Sequence, residues 1–476
     1  MPAGSDDGRL ETELKFELAP DAVRTLRGPG GIGAGQAKRL HSVYFDTPRH
    51  DLKNRGVTLR VRQADGAFIQ TVKQRQGVGA LGRNEWETPV VGETPEPLAF
   101  GATPAAAVLN GDASQLAPVF ATTVERSVHL WRDGETVVEV SLDEGEITAG
   151  SQSEPIRELE LELKAGDPAA LFVLARELAR HTPMRLSFES KGERGYRLAG
   201  HDGVAALKAE RSALSPEASA AEAFRGVARS ALTQITGNAQ LLRRVRTPET
   251  LHQTRVGLRR LRAALTIFKA GLPANSLMGV KAEAKWLAGE LNAARDLDVF
   301  IQDTYRPAER RALDDPGVVA LGARLLHLQA EAYERALAAL DSSRFSNLLL
   351  SATTWVEVGD WTNATAPEVT PLGDTSAAEL GAAVLERLRS KVRKAGRRLS
   401  DLDPASRHAL RIRAKKLRYG AEFFAGAFEG EGKRRRRFLE TLKRLQDALG
   451  ELNDIAVARE MAPRITEGRG ADLGFT

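Results

Sequence analysis

The feature that most constrains this chain is a change of hydrophobic period shortly after residue 200. Up to there, short segments alternate charged and apolar residues at period two between Gly, Pro and Asp turns, which is the pattern of strands. From about Ala218 to about Pro463 the period becomes 3.6 and Ala, Leu and Arg dominate, which is the pattern of long helices. The expected fold is therefore α+β and multidomain: an N-terminal antiparallel β tunnel or barrel with covering helices over 8–200, a linker over 201–217, and a C-terminal all-α domain of duplicated helical bundles over 218–465. Candidate strands are Leu10–Glu17, Arg39–Asp46, Val57–Gln63, Phe68–Gln74, Arg83–Thr88, Val119–Trp131, Thr136–Asp143 and Ile156–Lys164. A helix is expected from Asp167, where Asp-Pro supplies a cap and a first-turn proline before Leu171–Arg180.

At 476 residues the chain has material for two to four cores. The absence of cysteine excludes a disulfide scaffold, a thiolate zinc site, an iron–sulfur centre and a cysteine nucleophile. No run of eighteen apolar residues suggests a membrane span, and residues 1–30 carry Asp6 and Asp7 without an apolar stretch, so a cytoplasmic protein with no membrane partner is the expectation. The net charge of +5 is unevenly spread. Residues 1–200 hold 24 basic and 29 acidic side chains, and the remaining 68 − 24 = 44 and 63 − 29 = 34 fall in 201–476. Two halves of opposite sign imply different partners.

The helical half repeats itself. His252-Gln-Thr-Arg255-Val256-Gly-Leu-Arg259-Arg260-Leu261-Arg262, running on to Phe268, aligns without gaps on His408-Ala-Leu-Arg411-Ile412-Arg-Ala-Lys415-Lys416-Leu417-Arg418, running on to Phe424. Downstream, Arg295-Asp296 is answered by Asn453-Asp454. Two repeats follow, about 218–360 and 376–465, divided by a Thr-, Pro- and Gly-rich loop at Trp361–Thr375.

In the β half, period two puts Glu11, Glu13 and Lys15 on one strand face, and Glu158, Glu160, Glu162 and Lys164 on another. Facing strands of this kind offer oxygen ligands to a hard divalent cation such as Mg²⁺ or Mn²⁺. A solvated strand face would look the same in either segment alone; their coexistence favours the facing pair. Arg60, Arg62, Lys73, Arg83 and Arg126 lie between them with Glu85 and Glu87, and guanidinium forks match phosphate oxygens. These charges share the parity that opposes Leu59, Val61, Leu159 and Leu161, as in a barrel that is polar inside and apolar outside.

Taken in order, Glu11-x-Glu13-x-Lys15, Tyr44-Phe45-Asp46-Thr47, Leu59-Arg60-Val61-Arg62, Thr71-Val-Lys73, Arg83-x-Glu85-x-Glu87, Asp143 followed by Gly145, Glu158-x-Glu160-x-Glu162 and Ser190-Lys191 resemble the CYTH superfamily, the triphosphate tunnel metalloenzymes. The resemblance implies an eight-stranded antiparallel tunnel binding a triphosphate with divalent metal. It implies metal ligands at Glu11, Glu13, Asp143, Glu160 and Glu162, and phosphate ligands at Lys15, Arg60, Arg62, Lys73, Arg83, Arg126 and Lys191. Catalytic roles are implied for Lys15, Arg60, Arg62, Lys73, Arg126 and Lys191, with Glu85 and Glu87 orienting the basic residues or approaching a second metal. Which carboxylate is the base is left open.

In the helical half, His252, Arg255, Arg259 and Arg262 share one helix face, and His408, Arg411, Lys415 and Arg418 reproduce it; Arg260 and Lys416 adjoin. Like charges so spaced repel, and so suit an anionic ligand. The paired pattern resembles the CHAD domain, which implies binding of inorganic polyphosphate and an association with polyphosphate granules. Gly28–Gly35 lacks the Gly-Lys-[Ser/Thr] of a phosphate loop. Lys433–Arg437 has no interleaved aromatic, which argues against nucleic acid as a partner. The expected function is metal-dependent hydrolysis of inorganic triphosphate with polyphosphate binding by the helical half. The alternatives are a non-catalytic polyphosphate-binding protein and a hydrolase or cyclase of thiamine or nucleoside triphosphate. Oligomeric state is not readable.

Overall fold

The computed structural model describes residues 9–28, 31–32, 35–75, 81–101, 103–110, 112–200, 205–210, 214–363, 371–397, 399–428 and 432–466. The chain divides into two units at Ala205/Ala206.

The first unit contains β1 (Arg9–Leu18), α1 (Pro20–Arg27), β2 (Gln36–Asp46), α2 (Asp51–Asn54), β3 (Val57–Ala64), β4 (Ala67–Arg75), β5 (Gly82–Val90), α3 (Pro104–Leu109), β6 (Ala117–Asp133), β7 (Thr136–Ala149), β8 (Gln152–Ala165), α4 (Ala169–His181), β9 (Met184–Ser187) and α5 (Lys191–Leu198). The strands run β5-β4-β3-β2-β6-β7-β8-β1, all pairings antiparallel, and β1 pairs back onto β5, which closes an eight-stranded barrel. Strand β1 meets β5 through Arg9–Thr12 and then β9 through Lys15–Leu18, so β9 extends the sheet past the closure. Four-residue β9 and two-turn α1 are too short for a period to announce them.

The barrel is polar inside and apolar outside. Leu59, Val61 and Val72 point outward and are buried with Leu52, Phe100, Ala105 and Leu109 beneath the α2 and α3 segments. Leu159, Leu161, Val138, Val140 and Leu142 are likewise buried on the face opposite the carboxylates. Strand β7 runs six residues beyond the expected Asp143. Gly145 allows this, because a Cβ there would strike the Thr123 carbonyl of β6. Towards that end the inward positions turn apolar: Leu40, Tyr44, Phe120, Val124, Ile147 and Ile156 pack with Tyr196 of α5. Helix α5 comes this close because residue 195 is glycine; a methyl there would run into the Phe120 ring.

The second unit contains α6 (Ala220–Arg244), α7 (Pro248–Ile267), α8 (Ala274–Glu290), α9 (Asn292–Phe300), α10 (Arg306–Glu309), α11 (Pro316–Asp341), α12 (Ser343–Val358), α13 (Ala377–Ala395), α14 (Pro404–Phe423) and α15 (Gly432–Thr466). The repeat is visible in the backbone. Helices α7 and α14 both have 20 residues and a proline in the first turn, start 404 − 248 = 156 residues apart, and are capped by Thr247 and Asp403. Ala377 N–H donates to the Ala218 carbonyl at 2.9 Å, and Ala220 N–H donates to the Thr375 carbonyl at 2.7 Å, a reciprocal pair between equivalent positions. The helices following α7 and α14 differ: α8 and α9 break at Leu291, whereas α15 is continuous. Leu207, within the segment expected as a linker, is fixed to α6: its N–H and carbonyl bond the Asn238 side chain at 2.9 and 2.8 Å.

Candidate active site

The inward rows of the barrel bring the expected residues into one charged network. Arg126 grips Asp143 with two hydrogen bonds of 2.7 Å and reaches Glu160 at 2.5 Å. Lys191, at the first turn of α5, contacts Asp143 at 2.8 Å, Glu158 at 2.6 Å and Glu160 at 2.8 Å. Lys15 lies 3.2 Å from Glu160 and 3.5 Å from Glu13. On the opposite wall Lys73 pairs with Glu11 at 2.6 Å and Glu85 at 3.1 Å, and Arg60 approaches Glu85 at 3.7 Å. Arg62 donates to Ser42, and Thr71 donates to Glu87.

Electrostatics follow from this arrangement. Burial alone would raise the carboxyl pKa values of Asp143 and Glu160. Lys191 and Arg126, with Lys15 at Glu160, outweigh it, hold Asp143 below the usual carboxylate range and hold Glu160 well below. Lys191 is raised in turn: the three carboxylates outweigh its desolvation. Arg62 is pushed down to about 10 by burial and by Arg60 and Arg126 beside it. Glu162 moves the other way, up, through burial and the nearby charges of Glu11 and Glu139, against the Lys164 hydrogen bond.

The expected carboxylate set therefore divides. Asp143 and Glu160 meet with Glu158, their oxygens within 4.8 Å of one another, in a buried trio of the kind that could hold a metal ion. Glu11, Glu13 and Glu162 stand beside that trio on β1 and β8, with Glu13 directly opposite Glu162 in the register. Both groups are hard oxygen donors and fit Mg²⁺ or Mn²⁺ by donor chemistry. Glu158 is missing from the expected ligands although its parity already placed it with Glu160. Arg194, which pairs with Glu158 at 2.5 Å, and Glu139, which faces Lys164 at 3.6 Å, are further members that no motif marked. Tyr44 stacks on Phe120 at 4.4 Å; Arg60 and Arg62 beside its hydroxyl bring its pKa down despite burial.

In the helical unit, His252, Arg255 and Arg259 of α7 converge with Arg295 of α9. Burial together with the Arg295 and Arg259 charges lowers His252 to about 4, and burial with the same arginines lowers Arg255 to about 10 against the pull of Asp296. Arg255 reaches the Leu291 and Asn292 carbonyls at 3.3 Å, and the equivalent Arg411 packs on Gly450. Arg262, Lys415, Lys416 and Arg418 are half-buried and His408 is exposed. Arg260, which adjoins that face, is only 9% exposed, pairs with Glu422 at 3.4 Å and lies over the Phe423 ring, so it joins α7 to α14. Arg418 also turns to Glu422, at 3.5 Å. The side chains of Asn453 and Asp454 lie outside the described residues.

Comparison with known proteins agrees with both halves. The model of the CYTH domain matches residues 9–196, and the model of the CHAD domain matches residues 226–463. The chain belongs to the CYTH and CHAD families. An inorganic triphosphatase of Haemophilus influenzae is 33% identical over 200 residues, covering 40% of this chain and 54% of that protein, so the chain spans about half the length of this curated relative. Among solved structures, the CHAD domain of the plant Ricinus communis is 32% identical, covers 56% of this chain and 86% of its own, and has a TM-score of 0.49. HpAC1 from Hippeastrum, for which a dominant triphosphatase activity is described, is 18% identical, covers 40% of this chain and 95% of its own, and has a TM-score of 0.30. Among the described residues, no helix of this CYTH–CHAD chain is long and apolar enough to cross a membrane.

Proposed function

We propose that the CYTH tunnel hydrolyses inorganic triphosphate with Mg²⁺ or Mn²⁺, and that the CHAD domain binds inorganic polyphosphate. The observation that carries the first part is a closed barrel whose inward rows pair cations and carboxylates at charge-matched distances. Lys15, Arg60, Arg62, Lys73, Arg83, Arg126 and Lys191 supply the cations, and a phosphate chain can replace the carboxylates on them.

Glu11, Glu13, Asp143, Glu160 and Glu162, with Glu158 adjoining, would hold the metal, which supplies Lewis-acid charge and lowers the pKa of a bound water. The chain's own work is positioning and charge stabilisation. Arg60, Arg62 and Arg126 neutralise equatorial phosphoryl oxygens, Lys73 and Lys15 hold the ends of the phosphate chain, and the barrel wall excludes bulk water. Glu85 and Glu87 orient Arg60 and Lys73. The apolar plug around Tyr196 leaves the polar part of the lumen built for phosphate, which supports an inorganic substrate over one carrying a base.

The test is phosphate release from tripolyphosphate, ATP and long-chain polyphosphate, with and without Mg²⁺ or Mn²⁺, in the parent chain and in Glu11→Ala/Glu13→Ala. Metal-dependent release from tripolyphosphate that disappears in the variant supports the reading. Binding without release from any of the three replaces it with a polyphosphate-binding protein.

A further inference from the structure

Arg75 continues the inward row of β4 two positions beyond Lys73, and the β4–β5 register sets it directly opposite Arg83. Like charges facing across adjacent strands repel, so the pair calls for an anion. Glu193 supplies one: its carboxylate is 3.3 Å from Arg75 and is the strongest acidic influence on Arg83. The same carboxylate caps α5, accepting from the Ser190 N–H at 2.7 Å and the Ser190 hydroxyl at 2.8 Å. Arg75 is 34% exposed and Glu193 41%, against 20% for Lys73, so an anion from solvent reaches this pair more readily.

We propose that Arg75 joins Arg83 in a phosphate-binding subsite at the solvent-reached end of the inward row, and that Glu193 is its resident anion, displaced by an incoming phosphate chain. The proposal rests on the triphosphate reading above and adds to it a ligand, Arg75, and a competitor, Glu193. A phosphate carries more charge than a carboxylate and matches two guanidinium forks at once, so it takes the arginines over. Glu193 keeps its bonds from Ser190 during the exchange, so the start of α5, and with it Lys191, stays in place. Selection follows: a chain long enough to engage both the inner cations and this pair displaces Glu193, while a single phosphate gains little.

Substitution separates the two roles of Glu193, because Gln at this position of a capping box serves the helix as Glu does but carries no charge. Tripolyphosphate is titrated calorimetrically into the full chain in metal-free buffer. Glu193→Gln is expected to bind about two- to five-fold tighter and Arg75→Gln about two- to five-fold more weakly, the range of a partly exposed charge contact. The gain from Glu193→Gln shrinks when Arg75→Gln is already present, as coupled sites require. A thermal midpoint within about 2 °C of the parent certifies that the cap is intact. Unchanged or weaker binding by Glu193→Gln at an unchanged midpoint overturns the competitor, and unchanged binding by Arg75→Gln overturns the subsite. A parent chain that binds tripolyphosphate but never releases phosphate sinks the triphosphatase reading and leaves this comparison standing; a parent that does not bind it overturns both.

Discussion

Lys191 is the side chain on which the tunnel charges converge. Three buried carboxylates face it, so Lys191→Met leaves them underneutralised and should cost about 3–5 kcal/mol at pH 7 by urea unfolding. The pH dependence has a definite sign. Asp143 and Glu160 have depressed folded pKa values, so their contribution is full above the unfolded carboxylate range near pH 4 and fades as acid protonates them. Lys191, with a raised value, contributes fully below its unfolded pKa of about 10.4. The deficit of Lys191→Met should therefore shrink as pH falls through the acid range, and a deficit that grows there would contradict the charge assignment. His252 carries the opposite signature. It is neutral without ligand, and a bound polyanion would offset Arg295 and Arg259, so on the proposed polyphosphate binding a proton should be drawn in and the affinity should rise as pH falls from 7.5 to 5.5. In His252→Gln that slope flattens; an equal slope in both chains refutes the histidine's part.

At the scale of elements, α5 and the α7–α14 pair decide what the charges can do. Helix α5 reaches the barrel through Gly195 and is held by Tyr196, whose hydroxyl donates to Asp46 at 2.7 Å while Asp46 also accepts from the Thr47, Leu52 and Lys53 N–H groups. Gly195→Ala overpacks the Phe120 contact, so a loss of about 1–3 kcal/mol is expected, with weaker tripolyphosphate binding as Lys191 is carried away from its carboxylates. Unfolding and binding measured on one preparation test whether the two losses travel together. In the helical unit, Arg260→Ala should lower the unfolding midpoint without lowering the salt needed to elute the chain from immobilised polyphosphate, because its guanidinium joins α7 to α14. Arg259→Ala should do the reverse. Helical spacing already sets Arg259 on the basic face and Arg260 one position, about 100°, away from it; that Arg260 meets Glu422 there depends on the approach of α14.

At the scale of the whole molecule, two folds of opposite charge share one chain, and their ligand functions should be separable. Arg255→Glu/Arg259→Glu is expected to abolish retention on long-chain polyphosphate while tripolyphosphate turnover stays within about two-fold, since those side chains belong to the helical unit and the tunnel charges to the barrel. Glu11→Ala/Glu13→Ala should do the converse. Parallel loss of retention and turnover in either variant would contradict this separation.

The two architectures, the inward parity and the repeat are legible along the chain, because period two, period 3.6 and a 156-residue offset are local or self-comparing signals. Closure of the barrel by β1 on β5, the union of Glu158 with Asp143 and Glu160, the placing of Glu193 against Arg75 and the pairing of Arg260 with Glu422 come from long-range packing. Parity says which way a side chain points. Which opposite charge it meets depends on strand register, sheet curvature and the approach of a helix from far along the chain, and none of these leaves a mark at the residue itself.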